Sequence, residues 1–86
     1  NIDDINVAKE QKIQAIESTI EYTKKRIIKL QHSLDDEKKS DTDEQVLKDQ
    51  ITENEQYIEN KIDEEKEIEK VYFGYITRFK ELKGLD

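Results

Sequence analysis

The stretch DDEKKSDTDEQ, residues 35–45, decides the fold of this chain, because it holds no apolar residue between two long apolar repeats. Before it, Ile13, Ile16, Ile20, Thr23, Ile27, Leu30 and Leu34 follow one another in alternating steps of 3 and 4. That spacing places one residue per helical turn on a single seam, the a and d positions of a heptad repeat. After it, Leu47, Ile51, Asn54, Ile58, Lys61, Glu65, Ile68, Tyr72, Tyr75, Phe79 and Leu82 take up the same rhythm in steps of 4 and 3. A polar break between two seams of similar length predicts a turn, and short connections make consecutive helices antiparallel neighbours.

The break carries start signals for a second helix. Asp41 followed by Glu44, and Thr42 followed by Gln45, both have capping-box spacing, in which a side-chain oxygen accepts from an orphan amide of the new helix. The sequence therefore predicts one domain over residues 1–86, with a first helix over about 3–38, a turn at about 38–42 and a second helix over about 42–83. Gly84 is placed to end it, with Lys80 and Lys83 at the negative end of the helix dipole. Folding back at the turn pairs residues whose numbers add to about 81, so Leu34 meets Leu47, Leu30 meets Ile51, Thr23 meets Ile58 and Ile13 meets Ile68. Apolar meets apolar at nearly every level, which favours this all-α antiparallel hairpin over one continuous rod. Upstream, Ile2, Ile5 and Ala8 shift register. The eleven residues from Ile5 to Ile16 fit a local stutter.

Composition agrees with long helices. The chain has 86 residues, 43% of them charged, with no proline and two glycines. Its hydrophobic share is 33%, below the roughly 45–50% of an average soluble domain. Low apolar content with almost no helix breakers points to a thin helical body rather than to disorder. A formal net charge of −7 argues against direct binding to nucleic acid or to an anionic membrane surface, both of which select a lysine and arginine excess. No cysteine is present, so the redox compartment is unreadable. No apolar run reaches the length of a membrane span and no signal-peptide pattern is visible, so an intracellular, cytoplasmic setting is the expectation.

Two features of the second seam stand out. Asn54, Lys61 and Glu65 interrupt it, and Ile62 beside Lys61 is available to take over, so the expectation is a splayed middle in which the seam slides to Ile58 and Ile62. The alternative is that these polar groups fix the register. Further on, VYFGYITRF, residues 71–79, holds four of the six aromatic residues. At 100° per residue, Val71, Tyr72, Tyr75, Ile76, Phe79 and Leu82 cover an arc of about 140°, with Phe73 further round. That is wider than one hairpin seam, and the opposing arm offers only Ile2, Ile5, Val7 and Ala8. Tyr72, Phe73, Tyr75, Ile76 and Phe79 are therefore the candidate protein interface. Ile13, Ile16, Ile20, Ile27, Leu30, Leu34, Leu47, Ile51, Ile58 and Ile68 form the hairpin seam. Ala15, Tyr22, Ile28 and Tyr57 are further apolar residues off the seam. Gly74 reads either as a surface glycine or as a point of close helix approach.

Nothing in the chain reads as catalytic chemistry. His32 falls at an outward heptad position, and Ser18, Ser33 and Ser40 lack a partner base. Asp41-Thr-Asp43 opens like a calcium loop but lacks its glycine and closing glutamate. Lys24, Lys25, Arg26 and Lys29 read as a solvated face carrying ion pairs. The acidic tip, Asp35, Asp36, Glu37, Asp41, Asp43 and Glu44, resembles the carboxylate-bearing coiled-coil finger of transcript-cleavage factors in shape and charge alone, with no motif in common. The expectation is a non-enzymatic module without cofactor or metal, which oligomerises, scaffolds or docks within a larger assembly. It would pair with itself, most simply as a dimer forming a four-helix bundle, or with another protein. The competing reading is a small acidic regulator that blocks the basic surface of a nucleic-acid-processing protein.

Overall fold

A computed structural model describes residues 1–36 and 38–84. It contains two α-helices, α1 (Ile2–Leu34) and α2 (Asp41–Lys83), packed against each other along their length. No strand occurs among the described residues. The hairpin measures 67 × 15 × 12 Å, close to the ~64 Å that 43 residues span at about 1.5 Å each.

α1 opens on a full capping box. The Asn1 side chain accepts from the Asp4 amide at 3.0 Å, and the Asp4 carboxylate accepts from the Asn1 nitrogen at 3.1 Å. The helix stops at Leu34, four residues before the expected end at 38, and Glu37 lies outside the described residues. The reason is chemical. Asp35 and Asp36 put negative charge at the already negative end of the dipole. The Asp36 carboxylate accepts from the Lys38 amide at 3.1 Å, a local bond that competes with helix continuation. Lys39 folds back so that its ammonium donates to the carbonyls of Leu34 and Asp36.

α2 starts one residue earlier than the predicted caps. Ser40, in extended conformation at φ −75° and ψ 163°, is the N-cap, and its hydroxyl accepts from the Asp43 amide at 3.1 Å. Asp41 and Thr42 are thereby inside the first turn, where acidic Asp41, Asp43 and Glu44 suit the positive end of the dipole. Gly84 ends the helix in the left-handed region, φ 65° and ψ 29°, where a side chain would be strained.

Between the helices runs a single seam. Ile13, Ile16, Ile20 and Thr23 of α1 are buried, as are Ile51 and Tyr72 of α2. Ile27, Leu30, Leu34, Leu47, Ile58 and Ile68 are half-buried. Thr23 satisfies its hydroxyl by donating to the Thr19 carbonyl at 2.8 Å, so it sits in the seam without an orphan polar group. No side chain among the described residues is fully buried.

The seam does not slide in its middle. Lys61 stays inward, with its side chain 25% exposed, while Ile62 is 39% exposed on the flank. Ile58 and Ile68 are both inward, and the steps between them of 3, 4 and 3 carry Lys61 and Glu65 with them. Bringing Ile62 inward would rotate the helix by about 100° and expel its neighbours.

Toward the open end both helices change step together. The inward residues of α1 run Ile2, Ile5, Lys9, Ile13, with Ala8 half-buried beside Lys9, and those of α2 run Ile68, Tyr72, Ile76, Phe79. Each contains two consecutive steps of 4, a stutter that locally unwinds the supercoil. In the hairpin register these lie at the same height. Tyr75 and Leu82, placed in the seam by the sequence reading, are 55% and 74% exposed, because the four-residue step brings Ile76 inward in place of Tyr75.

Ile20→Ala should cost about 2–4 kcal/mol, as for a buried isoleucine, whereas Ile62→Ala should stay within about 0.5 kcal/mol. Urea unfolding followed by circular dichroism reads both. Equal losses would place Ile62 in the seam after all.

Candidate interaction surface

A seam one side chain wide leaves two long flanks. The five residues predicted as an interface divide between the seam and these flanks. Tyr72 is buried against α1, with the Lys12 ammonium 5.4 Å from its ring centroid, and Ile76 and Phe79 are half-buried beside it. Phe73 and Tyr75 are 72% and 55% exposed, and they lie about 200° apart around the helix, so they face opposite sides of the hairpin. The single wide patch expected at residues 71–79 is thus partly covered by the chain's own first helix, and the remainder is split.

One flank is continuous. An open groove lined by Thr19, Tyr22, Thr23, Arg26, Asn54 and Tyr57 runs, through the shared Thr19, into a second bordered by Lys12, Ala15, Lys61, Glu64 and Ile68. One heptad beyond Glu64 comes Val71, then Tyr75, which meets Tyr72 edge to face at 5.3 Å between ring centroids. Tyr22, Tyr57, Val71 and Tyr75 therefore line a row along this side, all of them large and exposed. Ala8, Ala15 and Thr19 give it a shallow floor. Tyr22 and Tyr57 lie off the heptad seam, and the sequence signal that links this flank is the seven-residue spacing of Tyr57, Glu64 and Val71.

The polar groups in the middle are held from this same side. Lys61 pairs with Glu64 at 3.0 Å and lies 5.4 Å from the Tyr57 ring centroid. The Glu64 hydrogen bond, opposed in part by burial, keeps the Lys61 ammonium above the ordinary lysine value. Asn54 donates to the Gln50 carbonyl at 2.7 Å, satisfying its amide within its own helix.

The opposite flank is acidic. Glu65 is half-buried in the seam and faces Glu17 of α1, with Glu69 one turn along. Burial first, and then the hydrogen bond and charge of Glu17, push the Glu65 carboxyl above the usual glutamate range. Phe73 and Ile62 emerge on this side, separated by these carboxylates. Among the described residues no group of three or more His, Cys, Asp or Glu side chains is arranged to hold a metal ion, and no helix is long and apolar enough to cross a membrane. His32 is exposed at the turn end of α1.

Because the folded Glu65 carboxyl holds its proton more tightly than in the unfolded chain, it disfavours the hairpin at neutral pH, and that penalty is relieved as pH falls toward the ordinary glutamate value. Glu65→Gln should therefore melt higher than wild type at neutral pH and gain less on mild acidification. A melting curve that tracks wild type at every pH would show that Glu65 carries no such penalty. Gly74 has open space where a side chain would go, with nothing within 4 Å, so the surface-glycine reading applies within this chain. Gly74→Ala should raise stability by about 1 kcal/mol in denaturant titrations.

Comparison with protein-family models, with curated protein sequences and with solved structures finds no match to this chain.

Proposed function

We propose that this chain is a non-enzymatic, intracellular helical hairpin that associates with itself, most simply as a homodimer forming a four-helix bundle, and serves as a structural or docking module in a larger assembly. The observation that carries this reading is the exposed row of Tyr22, Tyr57, Val71 and Tyr75 beside a seam in which no described side chain is fully buried. A two-helix hairpin has a single contact surface, and chains of this size usually need a second layer to be stable. Aromatic side chains are rich sources of binding free energy at such interfaces, since they bury large area with few rotatable bonds.

Sedimentation of the wild-type chain should give about twice the 10.3 kDa chain mass. Tyr22→Glu with Val71→Glu should give a helical monomer, because both residues are exposed within the hairpin and the ring contacts of Tyr57 with Lys61 and of Tyr75 with Tyr72 are left in place. A wild-type chain that stays monomeric at millimolar concentration overturns the self-association reading.

A further inference from the structure

We infer that the second copy lies on the flank of Tyr22 and Tyr57 with its turn beside the turn of the first, so that α1 of each hairpin faces α2 of the other. This rests on the self-association reading above and goes on to specify its geometry.

A twofold axis can bring one flank onto itself in two ways. With the axis along the hairpin, turns stay together and α1 lies against the partner's α2. With the axis across it, each turn lies at the other's open end, α1 lies against α1, and α2 against α2. The charges of the two helices distinguish these. α1 has six Lys and Arg against five Asp and Glu, a net of +1. α2 has seven Lys and Arg against thirteen Asp and Glu, a net of −6. The crossed arrangement would stack two helices of net −6 on each other over their full length. The aligned arrangement puts each of them against a helix of opposite sign, which is the complementary choice.

Individual positions agree. In the aligned arrangement, residues at equal height have numbers adding to about 81, as within one hairpin. Exposed Lys29 then comes over Glu53 of the second copy, and Lys12 over Glu67. Tyr22 meets Tyr57. Small Ala8 receives Val71 and Tyr75, which have no bulky partner on their own hairpin's flank. In the crossed arrangement α2 residues at equal height add to about 124, so Val71 would sit over Glu53, and Tyr57 over Glu67. Apolar groups would then be buried against carboxylates, which costs free energy unless those carboxylates find partners.

The native chain has no cysteine, so a nitroxide label on Lys38→Cys marks the turn uniquely. Pulsed dipolar spectroscopy on the dimer should give a distance between labels below about 30 Å, since aligned helices pack about 10 Å apart. Lys29→Glu should weaken the dimer roughly tenfold through its two symmetry-related contacts. Adding Glu53→Lys to it should restore affinity. A dimer whose labels lie beyond the reach of that distance, near the full 67 Å length, overturns the aligned geometry and leaves self-association standing. So does a dimer that Glu53→Lys fails to rescue. A helical monomer with no dipolar signal overturns both.

Discussion

Two helices touching along one line can hide about one side chain per turn from each, and the rest of this molecule follows from that limit. The seam admits Ile13, Ile16, Ile20 and Ile51 to near-complete burial, and even these keep 6–8% of their surface exposed. Thr23, the most buried residue at 4%, is polar and satisfied by its own helix. Hydrophobic stabilisation scales with area removed from water. A body 15 Å by 12 Å in cross-section has little interior in which to remove it. The hairpin therefore depends on every inward position, and whatever it places on its flanks is available to a neighbour.

That dependence explains why polar residues in the seam are tolerated where they are. Asn54, Lys61 and Glu65 lie between Ile51 and Ile68, and the strict heptad steps of the isoleucines around them leave no other phase for the helix. Each is handled differently. Asn54 bonds to its own backbone, Lys61 reaches Glu64 and the face of Tyr57, and Glu65 faces another carboxylate. The first two keep their polar groups paired. The third leaves like charges at close range, a cost that buried apolar neighbours do not relieve.

The hairpin was legible in the sequence because its signals are periodic and redundant. Seven consecutive inward positions of α1 share one rhythm, and a polar break between two such rhythms has few structural solutions. What could not be read was decided by single side chains. The end of α1 turns on Asp36 capturing the Lys38 amide and Lys39 reaching the Leu34 carbonyl, and neither bond has a spacing rule that separates it from a solvated charge. Ser40 competes with Asp41 and Thr42 for the N-cap, and all three are good caps. The choice between Tyr75 and Ile76 was harder still, because both lie one step from Tyr72. It follows from the stutter in α1, where Lys9 takes the inward place between Ile5 and Ile13. The partner helix must unwind at the same height, so the step that admits Lys9 on one side admits Ile76 on the other. Register shifts of this kind belong to the pair of helices and are hidden when each is read alone.

The same pairing logic extends outward. The stutter that draws Ile76 inward is also what sends Tyr75 onto the flank, in line with Val71 and with Tyr57 two heptads before Val71. An aromatic stretch that a strict heptad would have placed largely inside the hairpin is thus divided, with Tyr72 and Phe79 closing the open end and Tyr75 left exposed on the flank. The uneven charge of the two helices acts on both levels as well. A helix near neutrality beside one of net −6 folds back on itself without self-repulsion, and the sign alternation that suits α1 to α2 within one hairpin suits it equally to α2 of another. In the proposed dimer, folding and association draw on one arrangement of charge, and a change that reverses it on one helix alone would disturb both.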